Sequence, residues 1–144
     1  MNHWKTVKSI WEKVVAKNPV GTLSAQLSKT PTTNFPLRVF TGNIMQKDGR
    51  KNVCTRIVPT TYSNACKSTY AQNVRFLNFN TDAERYNAWQ SYLTKFAMFC
   101  FIIDETTKLA PYMNNYTQPW DDQRFYEYFG LNKIEIQLIE SVIK

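Results

Sequence analysis

The sequence has a single histidine, His3, and it sits beside the N-terminus, so a Ser-His or Cys-His nucleophile pair has little to be built from. Its three cysteines, Cys54, Cys66 and Cys100, are odd in number and none stands in C-x-x-C spacing. That pattern points to reduced thiols rather than to a disulfide framework or a zinc site, and with it to a cytoplasmic location. Glycine is scarce, at positions 21, 42, 49 and 130 only, which leaves no phosphate-cradling Gly-rich loop. Long apolar runs are missing too. The segment Met1 to Lys17 is broken by charge and does not read as a signal peptide. The longest mainly apolar stretch, Phe96 to Ile103, is too short to span a bilayer.

What is present is a 144-residue chain with 43% apolar residues and a high aromatic content of 15%, enough to bury one core. The net charge of +7 is unevenly spread. Residues 1–79 carry twelve Lys or Arg against Glu12 and Asp48, a net of +10, whereas residues 80–144 carry six against nine acids, a net of −3. Positive charge concentrated in one half suits a polyanion, because each neutralised phosphate releases condensed counterions. A single domain over 1–144 is expected, basic and strand-rich over 1–79, acidic and helical over 80–144.

Trp4, Val7, Trp11 and Val14 recur at helical spacing and predict an amphipathic helix from about residue 3 to 17, ended by Asn18-Pro19. Val20 to Leu27, Leu37 to Gln46, Asn52 to Val58 and Arg75 to Phe79 read as short strands, with Lys47-Asp48-Gly49-Arg50 as a hairpin turn. Ser28 to Asn34 and Thr60 to Thr69 read as polar loops, whose side chains serve turns and can also reach phosphates or base edges. Thr81-Asp82-Ala83-Glu84 is a capping-box pattern. The helix it starts carries Trp89, Leu93, Phe96 and Phe99 to Ile103, so its second half should be the centre of the core. After a loop from Pro111 to Gln118, a helix from about Asp121 to Phe129 should stop at Gly130, and Asn132 with Glu135 should cap a last helix to Val142 or Ile143. The fold class is therefore α+β: an N-terminal helix, a small antiparallel or mixed sheet and three C-terminal helices.

Two segments carry a family pattern: Asn80-Thr81-Asp82-Ala83-Glu84-Arg85 through Tyr92-Leu93-Thr94-Lys95-Phe96, and Pro119-Trp120-Asp121-Asp122 through Phe125-Tyr126-Glu127-Tyr128-Phe129-Gly130-Leu131 to Ile139-Glu140-Ser141. They resemble the C-terminal target-recognition domain of bacterial restriction-modification DNA adenine methylases, mainly over residues 80–144, here without the catalytic domain. Before that only Asn18-Pro19-Val20-Gly21 is similar to a Pro-Phe-Gly element at the domain's start. The chain departs from the pattern at Ala97-Met98-Phe99-Cys100 and at Asn132-Lys133-Ile134. The part that would read DNA matches least, so the resemblance implies a fold and not the base sequence read. Leu93, Phe96, Phe129 and Leu131 are scaffold positions in that pattern.

Catalysis is not expected. An adenine methylase needs an acidic or amide residue followed by Pro-Pro and an aromatic, and Asn18-Pro19-Val20-Gly21 lacks the second proline and the aromatic. Asp104-Glu105 with Lys108 is a loose echo of a metal-dependent nuclease, more simply a solvated loop. Asp121-Asp122 reads as complementing a helix dipole. No cofactor and no metal ion are implied. The expected partner is duplex DNA, bound through Arg38, Lys47, Arg50, Lys51, Arg56 and Lys67, with Thr61 and Asn64 as base-edge candidates. Two other readings stand beside it. A recognition domain that starts at its own Met1 is what recruitment as a phage or mobile-element inhibitor would leave, anti-restriction or anti-CRISPR, blocking a nuclease ribonucleoprotein. Alternatively the chain is a specificity subunit or fragment that works with a separate methylase subunit.

Overall fold

The computed structural model of the chain describes residues 3–17, 23–40, 57–60, 63, 74–103 and 111–143. Helix α1 (His3–Lys17) is followed by a single turn of 3-10 helix (Leu23–Gln26) and strands β1 (Phe35–Phe40), β2 (Ile57–Pro59) and β3 (Val74–Phe79). Four helices complete the chain: α2 (Asp82–Ser91), α3 (Lys95–Ile103), α4 (Asp122–Phe129) and α5 (Lys133–Val142). The strands form an antiparallel sheet in the order β2-β1-β3, so the fold is α+β as the sequence predicts. Among the described residues no helix is long and apolar enough to cross a membrane.

Alternation along the sheet separates its two faces. Leu37, Val39, Leu77 and Phe79 belong to the main core, while Val74 and Phe76 are buried as a separate pair on the opposite face. Ser28 extends the β3 side by one bridge, its amide and carbonyl bonding the Phe76 carbonyl and amide at 2.9 and 2.8 Å. The segment predicted as a strand from Val20 to Leu27 is instead helical at Leu23–Gln26. Leu23 and Leu27 are four residues apart, the spacing of one helical face, and Leu23 is fully buried while Leu27 packs half-buried beside it.

The apolar face of α1 also differs from the predicted one. Ile10 and Val14 are fully buried and Val7 half-buried, facing α5 and α4, whereas Trp4 and Trp11 point outward at 68% and 39% exposure. The helix carries two neighbouring apolar stripes, and Trp4-Val7-Trp11-Val14 takes members from both. Lys17, in the last turn, lies 5.0 Å from the Tyr128 ring centroid and complements the helix C-terminus.

Thr81 caps α2, its hydroxyl accepting from the Glu84 amide at 3.1 Å, but Glu84 meets the Thr81 hydroxyl (3.2 Å) and not its amide, so the box is half made. The single helix expected from Thr81 to Ile103 is divided at Tyr92–Thr94. Thr94 accepts from the Ala97 amide (3.2 Å), and the Asp122 carboxylate accepts from the Lys95 and Phe96 amides (3.3 and 2.8 Å). Asp122 therefore caps α3 in addition to standing in the first turn of α4, the place expected of it, while its neighbour Asp121 caps α4 through the Arg124 amide at 2.8 Å. Leu93 falls in the break and is half-exposed, outside the core where the sequence placed it.

Residues 96–101 are buried all round, and Phe96 is the centre of the aromatic packing: it stacks on Phe125 (5.0 Å between centroids) and Phe129 (5.3 Å). Cys100 is buried. Residues 111–118 are tied inward: Tyr92 donates to the Pro111 carbonyl (3.0 Å), its oxygen lies 2.9 Å from the Tyr116 hydroxyl, and that hydroxyl accepts the Met113 amide (3.1 Å). Burial, with the crowding of the other phenols, pushes the Tyr92 and Tyr116 hydroxyls well above the ordinary tyrosine range. Gly130 ends α4 at φ 65° and ψ 38°, a left-handed position that a side chain would strain.

Asn132 and Glu135 form the complete capping box of α5. Glu135 is also the deepest charge in the described structure, at 1% exposure, and joins α5 to α1 by accepting from Ser9 Oγ (2.5 Å) and Lys13 Nζ (2.6 Å). Burial alone raises its pKa. The bonds from Lys13, Ser9 and the Asn132 amide, with the Lys13 charge, outweigh it and hold the carboxyl below its ordinary value.

Candidate nucleic-acid interface

Of the eight residues predicted to contact a polyanion, Arg38 lies among the described residues. Lys47, Arg50, Lys51, Arg56, Lys67, Thr61 and Asn64 lie outside them, as do the hairpin turn, Cys54, Cys66 and the Asp104-Glu105-Lys108 group. Arg38 occupies the middle strand in register with Val58 and Phe76, on the sheet face turned away from the main core. Its Nη2 reaches Thr60 Oγ1 at 3.4 Å, and its Nε is buried with no hydrogen-bond partner. A buried guanidinium donor left unmatched costs free energy, roughly 1–3 kcal/mol. The Arg38 side chain as a whole is half-buried.

The polar residues around this face are mostly committed to the fold. Asn78 accepts from the Thr32 amide (2.9 Å) and donates to Ser28 Oγ (2.8 Å), which in turn donates to the Thr30 carbonyl (2.6 Å). The expected loop Ser28 to Asn34 therefore uses its short polar side chains to lock itself onto β3. Arg85 is structural as well, a role the sequence did not signal. It donates to the carbonyls of Thr60 (2.5 Å) and Pro36 (3.4 Å), pairs with Asp82 (2.6 Å) and lies over the Phe35 ring.

Charges of the two signs are used differently. Every described acid after Phe79 has an intramolecular role: Asp82 with Arg85, Glu84 with Thr81, Asp121 and Asp122 as caps, Glu127 with Gln123, Glu135 with Lys13, Glu140 with Tyr126. By contrast Lys5, Lys8 and Lys29 of the basic half are exposed and make no hydrogen bond or ion pair among the described residues. Two shallow surface depressions flank α1. One of about 370 Å³ lies between Trp4 and Trp11 with Val7, Lys8 and Glu12, and one of about 190 Å³ is bounded by Lys5, Thr6, Ser9, Asn132, Ile134 and Glu135. Among the described residues no group of three His, Cys, Asp or Glu side chains is placed to hold a metal ion.

No protein-family model, no curated protein and no solved structure matches the chain.

Proposed function

We propose that the chain is a non-catalytic nucleic-acid-recognition module that binds duplex DNA through its basic first half, braced by the acidic helical half. The observation that carries this reading is the division of charge labour: the acids after Phe79 are consumed by caps and pairs, while lysines before it face solvent uncompensated. A surface of that kind keeps its positive potential available to phosphates. Arg38, with an unmatched buried donor in the middle strand, adds a fixed guanidinium suited to a phosphate oxygen. The resemblance of residues 80–144 to methylase target-recognition domains supports the same class of partner, with base reading left to residues of the first half such as Thr61 and Asn64.

Duplex-DNA binding by the purified chain, titrated over a range of salt, tests the proposal. Affinity should fall with a log–log slope near −0.9 per phosphate contact. Reversing Arg50 and Lys51 to Glu should weaken binding, with circular dichroism and the melting temperature measured alongside to separate lost contacts from a lost fold. Strong binding that is insensitive to salt defeats the proposal. So does binding that survives reversal of Arg50, Lys51 and Arg56 but is lost on changes around Glu127 and Glu140. Weak binding to free DNA together with tight, reversal-sensitive binding to a nuclease ribonucleoprotein would put the inhibitor reading in its place.

A further inference from the structure

The outward stripe of α1 is spaced as a helix-pairing seam. Trp4, Lys8, Trp11 and Val15 follow one another at intervals of four, three and four residues, the a/d spacing by which two helices interlock. All four are exposed; Val15 is 53% exposed and Trp4 more so. The inward stripe, Ile10 and Val14 with Val7, is already spent on the core. On the flank of the seam stand Lys5 and Glu12, exposed, opposite in charge, seven residues apart and without a partner among the described residues.

We infer that this face of α1 binds α1 of a second copy of the chain, antiparallel, across a two-fold axis near residues 9 and 10. The charge pattern selects this occupant because it is complementary to its own reverse. In the antiparallel arrangement Trp4 meets the second copy's Val15, and Lys8 lies over the second copy's Trp11, each contact occurring twice. Lys8 then sets its stem and charge against an aromatic face, a use that fits a cation in an otherwise apolar seam. Lys5 comes beside the second copy's Glu12 and Glu12 beside the second copy's Lys5, giving two reciprocal ion pairs. A parallel arrangement would set Lys8 against Lys8 and place Lys5 and Glu12 of the two copies on opposite flanks, with no ion pair between them. The depression between Trp4 and Trp11, floored by Val7 and Lys8, is where the opposing side chain seats. The seam runs about 17 Å along the helix at 1.5 Å per residue. So short an interface, between copies that each carry +7, belongs to the weak, transient class. Nucleic-acid binding is not assumed.

Sedimentation equilibrium of the full chain, from about 5 to about 500 μM at roughly 0.15 M salt, tests the inference. A monomer–dimer equilibrium is expected. Lys5→Glu and Glu12→Lys, both exposed positions, should each raise the dissociation constant by roughly tenfold, and the two together should bring it back to within about twofold of the original. Trp4→Ala should abolish the dimer with circular dichroism and melting temperature unchanged. A chain that stays monomeric throughout overturns the inference, as does a dimer indifferent to these substitutions or a charge swap that fails to restore pairing. A monomer whose tryptophan fluorescence instead changes on phosphatidylserine vesicles also overturns it, assigning the seam to an anionic lipid surface.

Discussion

The helical region, residues 82–143, and the strand region before it solve the problem of polar groups in opposite ways. In the helices, side-chain oxygens are placed where a helix start leaves amides without partners: Thr81 for α2, Asp122 with Thr94 for α3, Asp121 for α4, and Asn132 with Glu135 for α5. In the strand region the backbone ladder and short Ser, Thr and Asn side chains satisfy one another, and Lys29 is left exposed, as are Lys5 and Lys8 on α1 before it. The comparison teaches that net charge alone does not say what a charged group does. Of the described acids in the helical half, Asp82 and Glu135 are paired with cations, and the others keep their charge while capping helices or holding neighbouring side chains.

The contrast can be broken first at the helical core. Phe96→Ala should destabilise by about 3–5 kcal/mol, removing the ring on which Phe125 and Phe129 stack, whereas Leu93→Ala, half-exposed in the break, should cost less than about 1 kcal/mol. Denaturant unfolding of the two variants measures the gap, and equal losses would put Leu93 back in the core.

Next in size is the joint between the regions. Glu135→Ala removes the carboxylate that meets Ser9, Lys13 and the Asn132 amide, and should cost about 2–3 kcal/mol, the lower side for breaking a buried pair because Lys13 is partly exposed. The pH dependence has a definite sign. A carboxyl whose folded pKa lies below its unfolded value contributes stability that is present above the unfolded pKa, near the ordinary carboxylate range, and is lost as pH falls through the folded value. Stability of the wild type should thus decline on acidification below about pH 4.5, more steeply than that of Glu135→Gln. Parallel acid profiles would remove Glu135 from the account.

A smaller effect sharpens the comparison at the caps. Asp122→Ala strips the acceptor from the Lys95 and Phe96 amides and should cost about 1–2 kcal/mol, and Asp122→Asn should recover most of it, since capping needs an oxygen more than a charge. Melting curves of the pair decide this. If Asn recovers nothing, the charge at the start of α3 is the larger part.

How much of this was legible in the sequence follows the range of each interaction. Thr81 with Glu84, Asn132 with Glu135 and Gly130 after Phe129 act within four residues, and the sequence located all three helix ends. The break at Tyr92–Thr94 was not read from the sequence: its only local signal is Thr94, which caps through the Ala97 amide, and the rest of the cap comes from Asp122, far along the chain. The 3-10 turn was obscured because Leu23 and Leu27 fit a short strand as readily as one helical face. The wrong face of α1 came from two apolar stripes sharing one helix; only the tertiary contacts of Ile10 and Val14 choose between them. Of the polyanion site, Arg38 was found from charge and strand position, but the lone Nε that makes it distinctive depends on neighbours from other strands.

The adjacency of Asp121 and Asp122 imposes a rule on how this chain can change length. One peptide bond joins two carboxylates that serve helices lying on different stretches of chain, so the start of α3 and the start of α4 are geared to each other. An insertion of one residue between them would keep both acids and both helices, yet only one carboxylate could then stay in its place. Length variation is therefore confined to either side of that bond, and the dipeptide acts as a fixed point about which the rest of the helical region can lengthen or shorten.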